Sequence, residues 1–200
     1  MDVICVTNKK IAEENSLDFY ALIERIARER PKKIILREKY LSEEEYEIVA
    51  EKCIEACRKH DIDFVVNKFI KTAINLNIKS VHLSFKDFFE RKNELSFFER
   101  IGVSVHSAEE AAAAEKNGAC YVIAGHIFKT DCKKGVLPRG IKFLEEVLNS
   151  VTIPVYAIGG ITALNVSEVR KTSASGVCLM SSLMKSENPF NILESIKNSV

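Results

Sequence analysis

Neither sign of charge dominates this chain. Lysine and arginine number 29 against 28 acidic residues, so nothing general draws it to nucleic acid or to an anionic membrane. Long apolar runs are missing too, since none approaches the roughly 18 to 20 residues that a bilayer span requires. The start, Met-Asp followed by VICVT, lacks the basic opening, long apolar stretch and small-residue cleavage site of a secretory signal, which leads us to expect a cytoplasmic protein. Cys5, Cys53, Cys57, Cys120, Cys132 and Cys178 are scattered without a paired CxxC spacing. Reduced thiols are therefore expected, not a zinc site or a redox dithiol. With 46% hydrophobic residues in 200, the chain has enough apolar material for one domain with a full core.

The positive signal is a repeated alternation of short β-branched runs, polar turns and amphipathic stretches of helical length. Strands are predicted at Val3–Val6, Lys33–Leu36, Phe64–Val66, Ser80–Leu83, Gly102–Val105, Tyr121–Ala124, Pro154–Ile158 and Val177–Met180. Helices are predicted in DFYALIERIARER, SEEEYEIVAEKCIEACRKH, SAEEAAAAEKNG, GIKFLEEVLNS and TALNVSEVRK. Ser42 with Glu45 and Ser107 with Glu110 have capping-box spacing, and Gly118 is placed to stop a helix. The helical period is blurred in IKTAINLNI and KDFFERKNELSFF. Eight such units in 200 residues, about 25 each, fit a compact single-domain (β/α)8 barrel over residues 1–200. A doubly wound open sheet would alternate in the same way, but no GxGxxG follows the first strand.

In a barrel the site lies at the carboxyl ends of the strands. That places Thr7 and Asn8, Arg37 to Lys39, Asn67 and Lys68, His82 and Ser84, Ser104 and His106, Gly125 and His126, Gly159 and Gly160, and Ser181 and Ser182 around one mouth. IPVYAIGGI ends the seventh strand in two glycines and VCLMSS ends the eighth in two serines, a pairing suited to phosphate, although a tight turn alone would also use the glycines. Arg37 and Lys39 can face the mouth and hold an anion, or pair with Glu38 as a solvated cluster. His126 opens the polar loop that carries Thr130, Cys132 and Lys133. An imidazole there can take and return a proton near neutral pH, whereas most histidines are structural or exposed. His82 and His106 are read as packing groups or as supports behind the site residues, His60 as a cation at a helix end. Cys53 and Cys57 are read as buried helix packing, and a reactive Cys132 is a further option.

GVSVHSAEEAAAAEKNGACYVIAGHIFKTDCKKG, with the later RG and IPVYAIGGI, resembles the TenI group of thiazole tautomerases, relatives of thiamine phosphate synthase. The close match runs from Ile101 to Ser182, and ILREK, VVN and VHL extend a looser one over most of the chain. This resemblance implies an isomerase of thiamine biosynthesis that aromatises a carboxylated thiazole phosphate without a cofactor or metal. His126 would carry the proton. Phosphate would sit on Gly159, Gly160, Ser181 and Ser182, and Arg37, Lys39, Asn67, Ser104, Thr130 and Lys133 would line the rest of the pocket. A homodimer is implied as well. The synthases have a proline at the position of His126, a threonine at that of Cys132, and a magnesium-holding aspartate at that of Lys68, while Asp87 retains their second acid. A lysine in place of that aspartate argues against magnesium.

Two alternatives stand beside the tautomerase. One is a thiamine phosphate synthase, coupling pyrimidine pyrophosphate to thiazole phosphate with magnesium. The other is a non-catalytic protein that binds thiazole or thiamine phosphate in a regulatory role.

Overall fold

A computed structural model describes residues 1–130 and 135–198 of the chain. Eight parallel strands close into one barrel in sequence order: β1 (Asp2–Val6), β2 (Lys33–Leu36), β3 (Asp63–Asn67), β4 (Ser80–Ser84), β5 (Arg100–Val105), β6 (Tyr121–Gly125), β7 (Val155–Ile158) and β8 (Gly176–Leu179). The open-sheet alternative is thereby set aside. The seam runs between β8 and β1, where Val3 pairs with Val177 and Ile4 with Cys178. No helix among the described residues is long and apolar enough to cross a membrane.

The strands are apolar on both faces because both faces are covered. Ile4, Val6, Ile35, Val65, Tyr121, Ile123, Tyr156 and Cys178 fill the barrel interior. The alternate residues Val3, Cys5, Ile34, Leu36, Val66, Val81, Leu83 and Val177 belong to the larger cluster under the helices. At the amino-terminal floor the Lys33 ammonium, buried inside the barrel, pairs with Asp63. Asp63 also accepts hydrogen bonds from Ser80 Oγ at 2.9 Å and Arg100 Nη2 at 3.2 Å.

The covering helices are α1 (Lys9–Glu14), α2 (Phe19–Arg28), α3 (Glu43–Lys59), α4 (Ile70–Asn75), α5 (Phe85–Glu90), α6 (Ala108–Lys116), α7 (Gly140–Ser150), α8 (Val166–Arg170), α9 (Ser181–Met184) and α10 (Pro189–Asn198), with a 3-10 turn at Lys92–Phe97. Ser42 and Glu45 close the reciprocal capping box that their spacing predicts. Ser107 makes only half of one, because the Glu110 carboxylate takes the His106 N–H instead. Gly118 takes φ +96 and ends α6. The stretch TALNVSEVRK is helical only from Val166. Before it, the Asn165 side chain accepts from Thr162 N and donates to Gly160 O, which makes a turn of the first residues.

Candidate active site

Four of the strand ends are tied to one another by hydrogen bonds that fix side chains at the carboxyl mouth. Thr7, fully buried after β1, donates its hydroxyl to Glu38 and accepts the backbone N–H of Arg37 at 3.0 Å. The other Glu38 oxygen accepts Lys9 N–H at 2.9 Å. Glu38 is therefore an internal pin between β1 and β2, 1% exposed, and not a partner of a solvated cluster. Burial raises its pKa, and the Thr7 and Lys9 hydrogen bonds pull against that shift. The pin leaves Arg37 reaching across the mouth, with Nη1 3.9 Å from the Met180 sulfur at the end of β8. Lys39 is exposed beside it.

On the next side, Asn67 ends β3 and donates from Nδ2 to the His82 carbonyl at 2.9 Å, which also takes Lys68 N–H. Tyr46 from α3 stands behind, donating to Leu36 O and accepting from Asn67 N, and so joins β2 to β3. Lys68 sits at φ +73 with its ammonium 5.7 Å from the Phe69 ring centre. Asp87 is turned back on its own helix cap, accepting from Ser84 Oγ at 2.6 Å. Among the described residues no group of three or more His, Cys, Asp and Glu side chains is placed to hold a metal ion. An ammonium at residue 68 and a carboxylate committed to Ser84 do not fit a protein-held magnesium.

His82, by sequence a packing group or a support behind the site, is buried inside the barrel between the Ser104 and Tyr121 hydroxyls. Burial first, and the Arg37 charge second, lower its pKa to about 3. His106 is exposed and its Nδ1 meets Gly125 O at 3.0 Å. His60 caps α3, as its position suggests, and reaches Glu24. Cys53 and Cys57 are buried with raised pKa values, Cys57 up to about 12, as packing thiols should be.

His126 follows a cis peptide after Gly125. Its Nε2 donates to Val136 O at 3.3 Å, its Nδ1 is buried without a partner among the described residues, and only 4% of the residue is exposed. The ring is covered by the loop after β6. Gly159 and Gly160, at φ +103 and +68, have a steric reason to be glycine. A Cβ at 159 would stand 2.3 Å from His126 Cβ, and one at 160 would stand 2.3 Å from Lys129 O. Ser181 and Ser182, half-buried, open the single turn of α9 on the neighbouring strand end. Thr130 is half-buried at the end of the described part of the loop. Lys133 and Cys132 lie outside the described residues.

The glutamate pin and the Tyr121–His82–Ser104 line escape a reading by motif. The one signal for the line is Gly102, a residue without a side chain paired in register with Tyr121.

A closed parallel barrel with arginine, amide, hydroxyl and imidazole groups gathered at its carboxyl end has the layout of a (β/α)8 enzyme. Within that class, residues 3–183 match the family described as thiamine monophosphate synthase, and the chain belongs to this family. It is 32% identical to the thiamine-phosphate synthase of Clostridium acetobutylicum over 184 residues, 91% of this chain and 86% of that one. It is 31% identical to the synthase of Fusobacterium nucleatum over 97% of this chain and 94% of the other. The thiamine phosphate pyrophosphorylase structure from Pyrococcus furiosus superposes with a TM-score of 0.85 at 28% identity, covering 98% of this chain and 93% of that one. A 3-hexulose-6-phosphate synthase shares the fold at a TM-score of 0.72 and 15% identity.

These likenesses overturn the tautomerase expectation. Relatives 30% identical over 90% of the chain and upward carry the synthase name, which is a transferase and not an isomerase. The proton shuttle at His126 and the carboxylated thiazole phosphate as substrate belonged to that expectation and are withdrawn with it. In the structure the His126 ring is nearly buried and bonded to Val136 O.

Proposed function

We propose that the chain is a thiamine-phosphate synthase that joins a pyrimidine pyrophosphate to thiazole phosphate and releases pyrophosphate. The observation that carries this reading is the likeness to synthases over nine-tenths or more of the chain. The chemistry asks for a leaving pyrophosphate, whose charge grows as its C–O bond breaks. Cations already in place at the mouth stabilise that charge without rearranging. Arg37 is such a group: its backbone is pinned through Thr7 and Glu38, and its guanidinium spans toward Met180. Lys39 and Lys68 add charge on the same side of the ring of strands, and Lys133, by its place in the sequence alone, is kept among the substrate-binding residues. Gly159, Gly160, Ser181 and Ser182 are assigned the thiazole phosphate, while Asn67, Ser104 and Thr130 line the space between. The reading includes cytoplasmic, soluble substrates and a homodimer.

The test is direct. Purified protein incubated with pyrimidine pyrophosphate and thiazole phosphate, with and without magnesium, is expected to form thiamine phosphate. Arg37→Ala is expected to lower kcat/KM about 100-fold, the scale of losing one pre-placed charge-stabilising group. No product at micromolar enzyme with either metal condition overturns the assignment.

A further inference from the structure

Inside the barrel, three side chains from adjacent strands form a line that ends at the mouth. Tyr121 of β6 and His82 of β4 are buried, and the half-buried Ser104 of β5 is at the open end. His82 Nδ1 lies 3.3 Å from the Tyr121 hydroxyl and Nε2 lies 2.8 Å from Ser104 Oγ. Gly102 makes room for it, because a Cβ there would fall 2.1 Å from Tyr121 Cζ.

The direction of the line follows from counting donors. Among the described residues the Tyr121 hydroxyl has a single hydrogen-bond partner, His82 Nδ1. A buried O–H left undonated costs more than an unused lone pair, so the phenol gives its proton to Nδ1. Burial, together with the Arg37 charge, keeps the ring neutral. A neutral imidazole that accepts at Nδ1 carries its proton on Nε2 and donates it to Ser104 Oγ. The serine oxygen is then accepting, and its own proton is free to be given away.

We propose that Tyr121 and His82 are positioning residues that set the Ser104 hydroxyl as a hydrogen-bond donor into the barrel mouth, toward an acceptor oxygen of the bound substrate. The identity of that substrate rests on the synthase reading; the direction of the line does not. A line running the other way would present Ser104 lone pairs to the mouth, where a phosphate oxygen would be repelled.

Long-range 1H–15N correlation spectra of the full-length labelled protein test the direction, with His82 assigned by its loss in His82→Gln. The expected result is a protonated Nε2 and a bare Nδ1, with this pure state lost in Tyr121→Phe. A protonated Nδ1 in the parent protein overturns the proposal. In kinetics, Ser104→Ala and Tyr121→Phe are each expected to raise KM about tenfold with kcat within about twofold, the mark of lost ground-state binding. Ser104→Thr, which keeps a hydroxyl, is expected to recover most of the KM lost in Ser104→Ala, and the double variant to be no worse than Ser104→Ala alone. Multiplying effects in the double variant would mean that Tyr121 acts elsewhere, and would overturn the proposal. Should the protein show no synthase turnover, the same variants are compared by calorimetric binding of inorganic pyrophosphate. A failed reaction and a failed line are then told apart.

Discussion

A buried ammonium needs a partner, and Lys33 at the barrel floor has one in Asp63. Lys33 is 8% exposed, and the same carboxylate also serves Ser80 and Arg100. Removing one member of such a pair leaves the other charge stranded, a loss of about 3 to 5 kcal/mol, whereas exposed pairs are worth about 1 or less. Asp63 has a side chain 21% exposed, which favours the lower end of that range. Asp63→Ala is therefore expected to lower unfolding free energy by about 3 kcal/mol in urea titrations. The paired change Lys33→Met with Asp63→Leu should recover part of it, since no ammonium is then stranded, although Ser80 and Arg100 still lose their acceptor. A single variant as stable as the parent would show that water reaches Lys33 and that the floor pair is ornamental. This cluster was illegible in sequence, because Lys33 opens one expected strand and Asp63 lies just ahead of the next, with nothing to single out either. Only the in-register pairing of the two residues makes them neighbours.

At the scale of elements, legibility tracked the strength of local signals. Strand β2 and helix α7 fall where the apolar periods place them, at Lys33–Leu36 and Gly140–Ser150. Helix α10 went unread despite its signal, a proline at the first helical position followed by the amphipathic FNILESIKN. Helix α1 is six residues capped by Asn8, too short to show a period of its own. Among the site residues, the strand-end positions were readable from topology, but which side chains are pinned, covered or exposed was not. Glu38 turned inward to Thr7, and His126 lies under its loop, because of backbone geometry that no spacing encodes. Helix α2 is locked to α3 by Glu24, whose Oε1 lies 2.9 Å from both His60 Nε2 and Lys59 Nζ. Hydrogen bonds from His60 and then Lys59 lower its pKa from 4.5 to about 2. A carboxylate whose folded pKa lies below its unfolded one adds stability above the unfolded value and loses it as pH falls toward the folded value. The parent should thus weaken between pH 4.5 and about 2 through this group, and Glu24→Gln should show a shallower fall across that window. Urea midpoints measured through the same pH range decide it; parallel curves for the two proteins would remove Glu24 from the account.

Closure of the whole molecule depends on the seam between its first and last strands, the pairing most distant in sequence. Asp2 faces Gly176 there, and a Cβ on residue 176 would lie 2.2 Å from Asp2 O and 2.9 Å from Asp2 Cβ. Backbone cannot step aside as a side-chain tip can, so Gly176→Ala must push β8 off β1 or bend both. Overpacking of this kind costs about 1 to 3 kcal/mol and sometimes more. Its reach exceeds one contact, since the seam also sets where Met180, and the Arg37 guanidinium resting near it, stand at the mouth. Gly176→Ala is accordingly expected to lower the urea midpoint in one cooperative transition, to speed hydrogen exchange at Ile4 and Cys5, and to raise KM in the synthase assay. Gly118→Ala is the contrasting case. A methyl at residue 118 has nothing within 4 Å, but φ is +96, so its cost of about 1 kcal/mol should stay at the end of α6 and leave KM alone. If the two variants behaved alike, the seam would be no more than another turn. If only Gly176→Ala coupled stability to substrate affinity, the barrel's closure and its mouth would be one mechanical unit.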